Sequence, residues 1–160
     1  MTKQSRHITF IDVTAALVIL LFAYTGLSKL WDHRLFQLVL SKSPLLHAWA
    51  TPISWTVPII ELATVVLLFF PSTKLIGLWS SLILMLAFTG YIAYMLVFSS
   101  KLPCSCGGVL KRLTWIQHLE FNVLFTLLTG ISIWLFYQNK ILLQQTGQAE
   151  HLHKKVGNHL

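Results

Sequence analysis

Charge is what this chain has least of. Only 11% of its 160 residues are Asp, Glu, Lys or Arg, and five of them are acidic, where a soluble domain carries about 25% charged residues. That scarcity excludes a soluble domain of any size. Cysteine is nearly absent as well: Cys104 and Cys106 are the only two. No basic run is long enough to make a phosphate footprint. The net charge of +7 is spread over every loop and both tails, which fits contact with anionic headgroups and argues against nucleic acid as a partner. No small-residue cleavage site follows the first apolar run, which contains Asp12, so that run reads as a retained helix and not a signal peptide. No apolar segment alternates with period two, which excludes a membrane β-barrel. No internal repeat stands out.

Hydrophobic residues are what remains. They make up 55% of the chain, and the mean hydropathy is +0.68. Four apolar runs, at residues 8–31, 52–70, 73–98 and 115–137, each reach the roughly 20 residues that a helix needs to cross a bilayer. The expected fold is all-α: a polytopic membrane protein with a four-transmembrane-helix bundle over residues 1–140 and a polar tail over 141–160. The tail, with His151, His153 and His159, reads as a frayed, solvated end. Pro71-Ser72 leaves so short a turn that the second and third spans must be antiparallel neighbours. Thr114 with Gln117 three residues on resembles a capping box that opens the fourth span. Residues 32–51 place Leu35, Phe36, Leu38, Val39, Leu40, Leu45, Leu46 and Trp49 among polar residues, interrupted at Ser43-Pro44. They read as one or two short interfacial helices, with a re-entrant lid as the alternative.

Charge does not orient the bundle, because basic residues are nearly balanced between its two ends. A paired-thiol site is more useful on an oxidising side. That places the cysteine loop outside and both termini in the cytoplasm, in the inner (plasma) membrane of a bacterium.

Ionisable residues inside a span are costly and usually functional. At about 1.5 Å rise per residue, Glu61 lies roughly 13 Å from the cysteine side, Tyr24 and Tyr91 roughly 10 Å, and Glu120 roughly 9 Å. Lys29 lies at that membrane face, and His118 is shallow. With Asn122, these groups gather in the half of the membrane nearest the cysteines, while Asp12 lies near the opposite face. Pro58, one turn before Glu61, bends the second span and frees a carbonyl toward such a pocket. His118 and Asn122 share a helix face, whereas Glu120 points about 200° away from His118. Plainer readings stand beside these. Lys29 can snorkel to headgroups, His118 and Asn122 can be interhelical glue, and a Glu61–Lys29 ion pair can simply hold the first two spans together. Trp31, Trp49, Trp55, Trp79, Trp115 and Trp134 suit interfacial anchors.

The Cys104-Ser105-Cys106-Gly107-Gly108 stretch can form, exchange or accept a disulfide. Its two Cα atoms are at most about 7 Å apart. Gly107 and Gly108 leave room for a partner. Lys101, Lys111, Arg112 and a following helix N-terminus favour a thiolate. A static bridge over so short a loop would stabilise little, and two Cys plus His118 make an incomplete zinc set. Exchange is the favoured chemistry, and no metal site is expected.

Four motifs in order now carry a resemblance: Tyr24-Thr25-Gly26-Leu27-Ser28-Lys29, Pro58-Ile59-Ile60-Glu61, Thr89-Gly90-Tyr91 and the Cys-x-Cys-Gly-Gly loop. Over residues 8–137 the chain resembles the MauE/DoxX group of membrane proteins, and the loop followed by His118 and Asn122 points to the MauE branch. MauE-like proteins are implicated in maturation of methylamine dehydrogenase, whose small subunit has many disulfides, beside a thioredoxin-like partner. DoxX-like proteins include a subunit of a thiosulfate:quinone oxidoreductase. The resemblance implies thiol or sulfur redox chemistry in the membrane. Cys104 and Cys106 would exchange a disulfide with an extracytoplasmic thioredoxin-like protein, and Tyr24, Lys29, Glu61, Tyr91, His118 and Asn122 would line a quinone site. Four-helix disulfide-generating proteins of the vitamin K epoxide reductase kind relay through two cysteine pairs, and this chain has one. The alternatives are a non-enzymatic anchor or assembly subunit, and a small-solute transporter that uses Glu61.

Overall fold

The structure is a computed structural model that describes residues 3–43, 45–98 and 115–157. Among them the chain forms α1 (Lys3–Trp31), α2 (His33–Ser41), one 3-10 turn (His47–Trp49), α3 (Ala50–Phe69), α4 (Lys74–Phe98) and α5 (Trp115–Gly157). Four stretches are long and apolar enough to span a bilayer: Arg6–Trp31, His47–Phe69, Lys74–Val97 and Ile116–Ile141. The protein is therefore a multi-pass helical membrane protein, and α1, α3, α4 and α5 are its spans. One expectation needs correction. The tail beyond Tyr137 is not a frayed end, because α5 continues unbroken to Gly157. Its last twenty residues contain no proline, and half of them are Gln, Leu or Lys, all good helix formers.

The spans alternate in direction. α1 packs against α3 and α5, and α4 packs against the same two, so α1 and α4 stand on one diagonal. Phe22, Val18, Leu68, Leu78 and Met85 fill the centre. Leu20, Phe69, Ile83 and Val97 point outward, toward lipid. Lipid is as apolar as these side chains, so close fit and polar contacts must hold the helices together. Two glycines supply the fit. A Cβ on Gly77 would lie 2.8 Å from Leu68 Cγ and 2.9 Å from the Leu68 backbone N, and one on Gly26 would lie 3.3 Å from Leu62 Cγ. The α3–α4 turn is closed by the Thr73 hydroxyl, which donates to the Leu67 carbonyl at 2.8 Å and so occupies an acceptor that the end of α3 leaves open.

α2 folds back along the start of α3. Leu40 is buried, and Phe36 and Leu35 are half-buried, while Arg34, Ser41 and Lys42 are exposed. The Gln37 amide donates to the Thr51 hydroxyl at 2.9 Å. The rings of His33 and Trp55 lie 4.1 Å apart. Ser43, just past α2, is buried and accepts from the Tyr91 hydroxyl at 3.2 Å. The segment between the first two spans is thus seated on the end of the bundle where α1 and α4 finish and α5 begins. The 99–114 segment, to which both cysteines belong, joins α4 to α5 at this end.

Candidate functional site

Glu61 sits on the buried stripe of α3. Ser54, Pro58, Glu61, Thr64 and Leu68 recur every three or four residues and are all buried, which turns one continuous face into the bundle. Gly26 of α1 crosses this stripe, and a Cβ there would come within 3.4 Å of Glu61 Cβ. Without a side chain at Gly26 the helices approach closely enough for Lys29, one turn on, to reach the carboxylate. The Lys29 ammonium donates to Glu61 Oε1, and the two side chains are 14% and 0% exposed. Thr25 lies beside the same carboxyl group.

The ammonium has two further neighbours. Its Nζ is 4.7 Å from the centre of the Phe88 ring on α4 and 5.7 Å from that of Phe36 on α2, within range for cation–π attraction. Three spatially separate elements therefore converge on one charge pair with α3. Glu61 Oε2 has no hydrogen-bond partner.

The sequence-predicted residues do not all gather here. Lys29 and Glu61 meet, as the ion-pair alternative anticipated. Tyr91 lies toward the same end of the bundle and ties α4 to Ser43. His118 is buried near the start of α5, and the Asn122 amide donates to its backbone carbonyl at 3.0 Å, so Asn122 is engaged within its own helix. Glu120 is exposed, on a different side from His118. Tyr24 is 39% exposed on the outer side of α1. Cys104 and Cys106 lie outside the described residues. Phe36 and Phe88 flank the Lys29 ammonium, a place that the sequence does not assign to either. Nothing distinguishes Phe88 from the other nine phenylalanines, although it immediately precedes Thr89-Gly90-Tyr91.

At the other end of the bundle the Lys74 ammonium donates to Asp12 Oδ1 at 2.7 Å, with side chains 21% and 53% exposed. This pair is the more exposed of the two.

Fold and site together define a polytopic four-span membrane protein with a desolvated ion pair between its first two spans. The family model described as methylamine utilisation protein MauE matches residues 7–135. The chain belongs to the MauE family. None of the curated proteins and no solved structure matches it.

Proposed function

We propose that this protein carries out thiol redox chemistry at the bacterial plasma membrane, in the maturation of a disulfide-rich enzyme such as methylamine dehydrogenase. Cys104 and Cys106 exchange a disulfide with an extracytoplasmic thioredoxin-like partner. A quinone at the Lys29–Glu61 end of the bundle accepts or supplies the electrons. In the oxidising direction two thiols lose two electrons and two protons, an S–S bond forms, and the quinone takes up both to become hydroquinone. The reducing direction reverses each change.

The observation that carries this reading is the buried Lys29–Glu61 pair. It lies at the end of the bundle that the cysteine-bearing segment joins, and family membership adds the link to methylamine utilisation. Charged groups within a span are expensive, and a pair flanked by Phe88 and Phe36 suits a flat ligand that must gain or lose protons. Tyr91 and His118 are the further polar groups toward that end.

Single-cysteine variants, Cys104→Ser and Cys106→Ser, test the exchange step. One of them should trap a mixed disulfide with the partner, and purified wild-type protein should be re-oxidised only when a quinone is supplied. A trapped partner without quinone-dependent re-oxidation would make the protein an anchor or assembly subunit. Full function with both cysteines replaced by Ser would refute the reading.

A further inference from the structure

α2 and the residue that ends it turn two different sides to their surroundings. Leu40 is buried and Phe36 half-buried toward the bundle, while Arg34, Leu38, Ser41 and Lys42 are exposed. At about 100° per residue these four fall within a third of the helix circumference, on the side away from Leu40. Leu45, just beyond, is exposed as well. This face is basic and apolar at once. From His33 to Ile60 the chain contains no Asp or Glu, and neither Arg34 nor Lys42 forms an ion pair among the described residues.

Position decides what such a face meets. The first span ends at Trp31 and the second opens at His47, so α2 lies between two points on one membrane face. It runs antiparallel to the first turns of α3, with His33 on Trp55 and Gln37 on Thr51. Thr51 and Trp55 are themselves exposed, so α2 lies on the flank of that end and not over its centre. Trp31, Trp49 and Trp55 are exposed around it, and outward tryptophans mark the membrane–water interface. A basic and apolar face at this level matches a layer of anionic headgroups over acyl chains. The cations meet phosphates, and Leu38 and Leu45 enter the boundary below them.

We propose that the outer face of α2 binds anionic phospholipid headgroups through Arg34 and Lys42, and that this contact holds α2 in its seat beside the Lys29–Glu61 pair. The seat is weak without it. Nine residues are too few for a helix to be stable by itself. α2 buries only Leu40, and its hydrogen bond to α3, from Gln37 to Thr51, is exposed. Elements with so little burial open before the body of a protein does. Phe36 lies 5.7 Å from Lys29 Nζ, so opening of α2 uncovers one side of the ammonium. The charge of the surrounding lipid thereby sets how often the pair is uncovered. The inference does not depend on the thiol or quinone chemistry proposed above.

The test places the full chain in nanodiscs of phosphatidylcholine alone and of an equal mixture of phosphatidylcholine and phosphatidylglycerol. One basic contact to an anionic surface is worth roughly fivefold in an equilibrium, so amide exchange over residues 33–42 should be at least about tenfold slower in the mixture. High salt should shrink the difference, and the double variant Arg34→Gln, Lys42→Gln should abolish it. Both side chains are exposed, so the variant keeps its fold. A second readout does not use charge. With both native cysteines replaced by Ser, a nitroxide on Leu38→Cys should be relaxed more by lipid-dissolved oxygen than by a water-soluble nickel chelate. Equal exchange in the two lipids, or a difference that survives in the double variant, would overturn the proposal. So would a nitroxide relaxed mainly by the chelate, which would turn this face to water and assign it to a soluble protein.

Discussion

Replacing Lys29 with Met should be among the most damaging single changes in this bundle, and replacing Glu61 along with it should undo most of the damage. Lys29→Met keeps most of the unbranched stem and removes the ammonium, with its charge and its hydrogen bond to Glu61. It leaves a carboxylate that is 0% exposed, with neither oxygen bonded to a cation. Breaking a buried pair from one side costs about 3–5 kcal/mol, which is roughly two to three and a half decades in the folding equilibrium. The reverse change, Glu61→Leu, should cost less. Lys29 sits in the last turn of α1 and is 14% exposed, so its flexible stem can carry the ammonium out to the headgroups. The double variant puts two apolar side chains of similar size into an apolar interior and should return to within about 1 kcal/mol of wild type or exceed it. A double-mutant cycle of reversible unfolding in mixed micelles, followed by far-UV circular dichroism, measures all four corners. Lys29→Met within 1 kcal/mol of wild type, or a double variant as unstable as the two singles added together, would refute the claim that this pair is desolvated and mutually dependent.

Gly77→Ala should lower the unfolding midpoint by the equivalent of about 1–3 kcal/mol, because the new methyl meets the Leu68 backbone as well as its side chain. Gly90→Ala has open space around it and should be neutral or stabilising by up to about 1 kcal/mol, so equal losses in the two variants would contradict the helix packing. Asp12→Asn should change stability by less than about 1 kcal/mol, since its pair with Lys74 is exposed, and a larger effect in the same micelle assay would count against that assignment. Tyr91→Phe should raise amide hydrogen exchange in residues 33–43, because it removes the hydrogen bond to Ser43. Unaltered exchange in that segment would show that the contact does not hold it.

The spans were legible because their signal is composition. Nothing but a helix satisfies a backbone in hydrocarbon, and four apolar runs leave little choice. The short Pro71-Ser72 turn and the separation of Glu120 from His118 followed from length and helical angle alone. The depth of Glu61 and Lys29 followed from rise per residue, and with it their meeting as one of two open readings. What sequence could not supply was rotation about each helix axis. Tyr24 and Glu61 stand at similar depths, but Tyr24 faces outward and Glu61 inward, and in a span that is apolar all round no hydrophobic face tells them apart. Phe88 and Phe36 were hidden for the same reason. The extent of α5 was not legible, because a polar composition marks where the chain leaves the apolar run and does not say whether the backbone stays helical.

The two ion pairs show how position, and not chemistry, assigns a role. Each joins one lysine to one carboxylate, and each links α1 to another span. Asp12–Lys74 leaves its acid half more than half exposed, so the charges are less desolvated and the bond between them is weak. Lys29–Glu61 has given up that hydration, and the loss is offset only while both partners stay charged and in place. A site of that kind responds to any event that moves a proton or inserts a dipole beside it, and an exposed pair does not. Gly26 brings the first two spans together at this level and α2 closes the end above it. The fold has therefore concentrated its one desolvated charge pair among the described residues at the end where the cysteine-bearing segment enters. If the thiols exchange electrons with a membrane-soluble carrier, this is where the accompanying protons have a group to meet.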